Sequence, residues 1–180
     1  MATKAKTKAD RNAERKSTRT RSTSREKENN AAAQNAFDVL EHDHREVEKW
    51  LDEYDELERD DERKADLAEK ICMALKVHTQ IEEEIFYPAA REATKDDDLL
   101  NEAIVEHATV KNLIAEIEDM EIGEELYDAK IRVLGEMVKR HIREEEEELF
   151  PELQSAKVDL DAVGMELAER KQQLMEKMEA

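Results

Sequence analysis

The chain has one cysteine, Cys72, two prolines and three glycines, and aromatic residues make up only 4% of it. A single thiol excludes an internal disulfide framework and any thiolate-held metal cluster. With so few chain breakers and 43% charged residues, long helices are the element that fits. Scarce aromatic rings imply a mostly aliphatic core. No apolar run approaches the roughly 18 residues of a membrane span, and there is no apolar signal-peptide core. The expectation is a soluble, cytoplasmic protein with no membrane partner.

What the chain has in excess is acid, with a net charge of -19. The excess is uneven. Residues 1–30 hold ten Lys and Arg against four Asp and Glu, and no Val, Ile, Leu or Phe. Such a segment cannot bury a core, so a disordered basic arm is expected over 1–33. It is read as a solvated tail, with an acidic or nucleic-acid partner as the alternative.

From residue 36 the apolar residues follow steps of three and four, the period of a helix face. The first stripe is Phe37, Leu40, His44, Val47, Leu51, Tyr54 and Leu57. The second is Leu67, Ile71, Leu75, His78, Glu82 and Ile85, with Pro88 and the polar "TKDDD" stretch bringing it toward its end. The third is Leu100, Ile104, His107, Val110, Ile114, Ile117 and Glu121, with Gly123 as the break. The fourth is Tyr127, Ile131, Leu134, Val138, His141, Glu145 and Leu149, up to Pro151. This pattern predicts an all-α, up-down-up-down four-helix bundle over residues 34–157. A weaker stripe from Leu160 to Leu174 predicts an additional C-terminal helix within 158–180, docked on the bundle rather than on another chain. A monomer and a dimer are both compatible with the pattern.

The chain also repeats. "HTQIEEEIFYP" starts at His78 and "HIREEEEELFP" at His141, 63 residues later; the same offset links His44 to His107, Glu82 to Glu145 and Pro88 to Pro151. Two similar helical hairpins related by a pseudo-twofold would bring these residues together. A His and a Glu at i and i+4 share one helix face. Here they lie on the apolar stripes, so they point inward. Unsatisfied buried polar groups cost roughly 1–3 kcal/mol each, and unpaired carboxylates more. Bound metal relieves that cost by using their lone pairs. His44, His78, His107 and His141 offer four nitrogens, and Glu82 and Glu145, if they bridge, four oxygens. Shared between two ions, this leaves positions free on an octahedral pair. Nitrogen and oxygen donors suit iron or manganese, and zinc competes because four ligands complete its tetrahedron.

With "DHREV" and "EHATV", these elements resemble the hemerythrin-like HHE cation-binding domains over residues 36–157. The resemblance implies a hemerythrin-like bundle around a non-haem di-iron centre, oxo- or hydroxo-bridged, with Glu82 and Glu145 as bridging carboxylates. Oxygen-carrying members have a further histidine four residues after the third-helix one, where this chain has Lys111, and place the last carboxylate five residues after its His, not four. The chain is thus closer to the broader bacterial-type branch. The implied function is binding or sensing dioxygen, nitric oxide or redox state, or handling iron. An oxidoreductase removing peroxide or nitric oxide, and a zinc-bound or metal-free structural bundle, are the alternatives.

Other residues receive plainer readings. His42 faces away from His44 and is taken as surface. Glu83, Glu84, Glu144, Glu146, Glu147 and Glu148 are taken as a solvated acidic face, with a cation route as the alternative. Glu48 and its repeat mate Lys111 are left between ligand, ion pair and surface. Met73, Leu75, Met137 and Val138 are expected to line the pocket. Cys72, Trp50 and Phe86 are taken as core.

Overall fold

The computed structural model describes residues 34–57, 61–94 and 97–178; the basic arm expected over 1–33 lies outside them. The first helix, α1 (Ala36–Glu56), begins at a reciprocal cap. Asn35 accepts from the Phe37 and Asp38 amides, and the Asp38 carboxylate accepts from the Asn35 amide, satisfying donors that a helix start leaves orphaned. Then follow α2 (Asp61–Ile81), α3 (Tyr87–Ala93), α4 (Asp98–Glu118), α5 (Tyr127–Glu144), α6 (Phe150–Ser155) and α7 (Leu160–Met178). A π-helical turn, Glu82–Phe86, joins α2 to α3 without a break, and another, Glu145–Leu149, joins α5 to α6. Among the described residues the chain is therefore five helical rods. The first four form the bundle: α1 packs on α2 and α5, and α4 on α5 and α2. Gly123, with φ of 88°, turns the chain between α4 and α5, a conformation that glycine adopts without strain.

The second rod ends at Ala93, where the expected polar stretch "TKDDD" begins, whereas the end expected at Pro151 is overrun. Both rods continue past Pro88 and Pro151. Proline lacks the amide that an α-turn uses, and its ring crowds the carbonyl four residues back. In both places the wider π turn comes just before the proline. There the Tyr87 and Phe150 amides reach back five residues, to the Glu82 and Glu145 carbonyls. The π turn also changes which side chains are buried. Ile85 is only partly buried, whereas Phe86 and Tyr87 are 1% and 2% exposed. On α4 the inward residue is Ala103, while Ile104 is exposed and Glu121 lies beyond the helix end.

The core is two apolar clusters with a polar layer between them. One contains Val47, Leu51, Ile71, Ile114, Ile131 and Leu134; the other contains Leu40, Ile81, Phe86, Leu100, Phe150 and Leu153. Cys72 sits in the first, its thiol pushed up to about 12 by burial. The stripe on α7 docks as expected. Its Leu167 and Leu174 are buried in the second cluster, and α7 packs on α1, α2 and the first π turn.

At the far end of the bundle, Asp128 of α5 accepts from Tyr54 of α1 at 2.7 Å and from the buried Lys64 of α2 at 2.8 Å. The Lys64 hydrogen bond holds the Asp128 carboxyl below its ordinary value. A depressed carboxylate stabilises the fold above the ordinary aspartate range, and this contribution is lost as pH falls through the depressed value. Asp128→Ala is expected to cost about 1 kcal/mol at neutral pH, reduced by the partial exposure of the pair. The difference from the unmodified chain should shrink in acid. Urea melts at several pH values check it; a difference that grew in acid would contradict this role.

Candidate metal centre

Helical periodicity places His44 on α1, His78 on α2, His107 on α4 and His141 on α5 at one level of the bundle, each 7% exposed or less. Glu82 and Glu145 open the two π turns and are 0% and 4% exposed. All four rings turn Nε2 inward. His44 Nε2 is 3.2 Å from His78 Nε2, and His107 Nε2 is 3.2 Å from His141 Nε2. Glu82 reaches both pairs, Oε1 lying 3.1 Å from His78 Nε2 and Oε2 3.3 Å from His107 Nε2. Glu145 Oε2 lies 3.3 Å from His44 Nε2. Two groups follow in which all donor atoms lie within 4.8 Å of one another: His44, His78, Glu82 and Glu145, and Glu82, His107 and His141. All six predicted site residues are thus brought together, and Glu82 alone belongs to both groups.

The outward face of each ring meets a carboxylate. Glu146 holds His44 Nδ1 at 2.8 Å, Glu83 holds His107 Nδ1 at 3.0 Å and Glu106 holds His141 Nδ1 at 3.0 Å. Asp43 stands 3.6 Å from His78 Nδ1. Each carboxylate carries a cation in turn: Arg45 on Glu146, Lys111 on Glu83, Arg140 on Glu106 and Lys171 on Asp43. Glu83 and Glu146 are therefore not the solvated face expected of them. Their sequence signal was available, because they are repeat mates, as are Asp43 and Glu106. Lys111 is committed to Glu83, and Glu48 pairs with Arg45. His42 is exposed and faces Glu46.

The donor set fits a cation. An Nδ1 that donates to a carboxylate leaves Nε2 as a lone pair aimed at the centre, the tautomer of a metal-binding imidazole. Glu82 Oε1 and both oxygens of Glu145 are buried without a hydrogen bond despite the close nitrogens. In the metal-free chain, protons meet the same demand for positive charge. Burial alone would push His78 down, yet Glu82 and Asp43 raise it to about 10. Burial opposes the charged forms of His44 and His141 as well, and Glu145 with Glu146, and Glu106 with Glu145, raise them. Burial would likewise raise Glu82, but His78 and His107 hold it well below the usual carboxylate range.

The halves also differ in one hydroxyl group. Tyr87 and Phe150 are repeat mates at the foot of the two π turns. The Tyr87 hydroxyl lies 3.2 Å from His107 Nε2 and 3.5 Å from Glu82 Oε2 and from His141 Nε2. Phe150 stacks near His44 without any such group. Burial and then Glu82 push the Tyr87 phenol well above its ordinary value, so it stays protonated. On the other side of the layer is an apolar cavity of about 20 Å³, lined by Val47, Leu75, Val110, Val138 and Ile142 beside the four histidines. Leu75 and Val138 thus line it as expected. Met73 and Met137 do not; they lie five and four residues before their histidines, whereas Leu75 and Val138 lie three before.

An all-helical bundle with two adjoining His and Glu clusters, each able to hold a cation, defines a metal-binding class of helical protein. The sequence matches the family model of the hemerythrin HHE cation binding domain over residues 35–153, and the chain belongs to that family. Among solved structures, the hemerythrin HHE cation binding domain-containing protein from Mycobacterium kansasii is similar in fold. The TM-score is 0.70 at 24% identity, over 81% of this chain and 90% of that one. No curated protein matches the chain. No described helix is long and apolar enough to cross a membrane.

Proposed function

We propose that this protein holds a pair of iron ions, one at His44, His78, Glu82 and Glu145 and the other at Glu82, His107 and His141, and binds or senses a small diatomic molecule there. The observation that carries the reading is the convergence of four inward imidazole lone pairs on two buried carboxylates with orphaned oxygens. Nitrogen and oxygen donors without thiolate accept iron, manganese or zinc. A carboxylate shared by two groups, with one group short of a tetrahedral set, favours a paired redox metal over structural zinc. Bound iron supplies reversible redox chemistry and affinity for dioxygen or nitric oxide.

The chain's own residues supply the rest. Glu83, Glu106 and Glu146 fix the rings of His107, His141 and His44 and keep their Nε2 turned inward, while Asp43 faces His78 Nδ1 at 3.6 Å. Tyr87 presents a protonated phenol on one side only. The cavity beside the histidines has room for about one water-sized molecule, and its aliphatic walls suit a small apolar guest better than a polar one. This favours dioxygen or nitric oxide over peroxide, and binding over turnover.

The test is metal analysis of the purified chain, with optical spectra after reduction and after air. About two irons per chain, as the two donor groups require, and a spectrum that cycles between the two conditions are the expected result. Zinc alone, or no metal, would sink the reading. Sustained consumption of peroxide over many cycles would move the protein to the oxidoreductase class.

A further inference from the structure

The 63-residue repeat gives the centre two equivalent flanks, and the fold treats them oppositely. On one flank, Val39, Val77 and Ile81 are 6%, 1% and 0% exposed; they share an apolar cluster with Leu167 and Leu174 of α7. Lys171 of α7 also pairs with Asp43 there, and Arg170 with Glu84. The repeat mates of those three apolar residues are Glu102, Arg140 and Glu144. They line an open groove of about 510 Å³ between α4 and α5, together with Asp98 and Glu106. Glu102, Glu106 and Glu144 also line a small inner cavity of about 20 Å³, whose floor is His141 and Glu145. Glu145 is 4% exposed and neither of its oxygens is hydrogen-bonded. An acidic groove therefore leads to a buried carboxylate without a hydrogen-bond partner. Among the described residues, the basic group lining the groove is Arg140, which pairs with Glu106 at 2.6 Å and lies 3.9 Å from Glu144.

We propose that this open flank is the way in for a divalent cation, which passes from Asp98 and Glu102 at the surface to Glu144 and then to Glu145 and His141. The proposal rests on the di-metal reading above. Its physical basis is field focusing: carboxylates along a cleft raise the local cation concentration and lower the cost of shedding water stepwise. On the flank under α7 the two carboxylates, Asp43 and Glu84, are instead each capped by a basic residue of that helix.

The experiment uses the full chain stripped of metal, mixed anaerobically with cobalt(II), and follows cobalt absorption by stopped flow. Glu102→Gln with Glu144→Gln should slow uptake on the order of tenfold and leave the final cobalt content unchanged. Glu147→Gln with Glu148→Gln removes the same charge from exposed positions outside the groove and should leave the rate as it was. Equal rates in all three proteins, or equal slowing by both pairs, overturns the route. A chain that takes up no cobalt at equilibrium overturns the metal reading itself, which a rate difference alone cannot do.

Discussion

Glu82→Gln is expected to remove metal from both halves of the centre, whereas Glu145→Gln removes it first from the half that contains His44 and His78. The difference comes from position. Glu82 belongs to both donor groups through its two oxygens, and Glu145 to one. A glutamine keeps the shape but turns an anion into a neutral amide with one oxygen acceptor, so one ion loses a ligand and both lose negative charge. A ligand that binds only the folded chain stabilises it by about 2.7 kcal/mol at a hundred times its dissociation constant. The melting point of the unmodified protein should therefore rise on metal addition, and that of Glu82→Gln should hardly move. Elemental analysis and paired melts check this. If Glu82→Gln retained the full metal content and the full melting shift, the shared carboxylate would be ruled out.

The second large effect concerns α7. Leu167 is 0% exposed, in one cluster with Ile81, Phe86 and Tyr87. Truncating a fully buried leucine typically costs about 2–5 kcal/mol, transfer and cavity together, against a total of roughly 5–15 kcal/mol for a domain. Leu167→Ala should therefore move the urea midpoint strongly at a nearly constant slope. Metal release should quicken too, because the same cluster supports the first π turn, where Glu82 sits. A loss below about 0.5 kcal/mol, the size of an ordinary surface change, would mean that α7 does not pack on the bundle in solution.

The bundle and the six inward donors were legible in the sequence because helical periodicity and the 63-residue offset are independent signals that agree. What escaped has physical reasons. Asp43, Glu83, Glu106 and Glu146 neighbour the inward residues in sequence, so a face count assigns them to solvent. Their side chains are long enough to reach back to the imidazole nitrogens, which a face count ignores. Pairing under the offset would have marked them. Ile85 was placed on the inward stripe because a constant 3.6-residue period was carried through a π turn, whereas Phe86 is core as expected. Ile104 was taken as inward because it is large and apolar, yet the small Ala103 occupies the inner position, beside the acidic groove.

Each π turn acts as a phase shift within a continuous rod. It holds one residue more than an α-turn, and one residue is worth about 100° of rotation. Upstream of the shift the rod aims histidine and glutamate at the centre; downstream it aims Phe86 and Tyr87, or Leu149 and Phe150, at the base of the bundle. The segments "EEEIF" and "EEEEL" should consequently be permissive in composition and intolerant of insertion. Exposed Glu84, Glu147 and Glu148 can be exchanged for other polar residues with little consequence. Inserting one more residue there would put the rest of the rod out of phase, swinging an aromatic anchor toward water and drawing a neighbour into its place, whereas deleting one would turn the π turn into an α-turn with the same downstream facing.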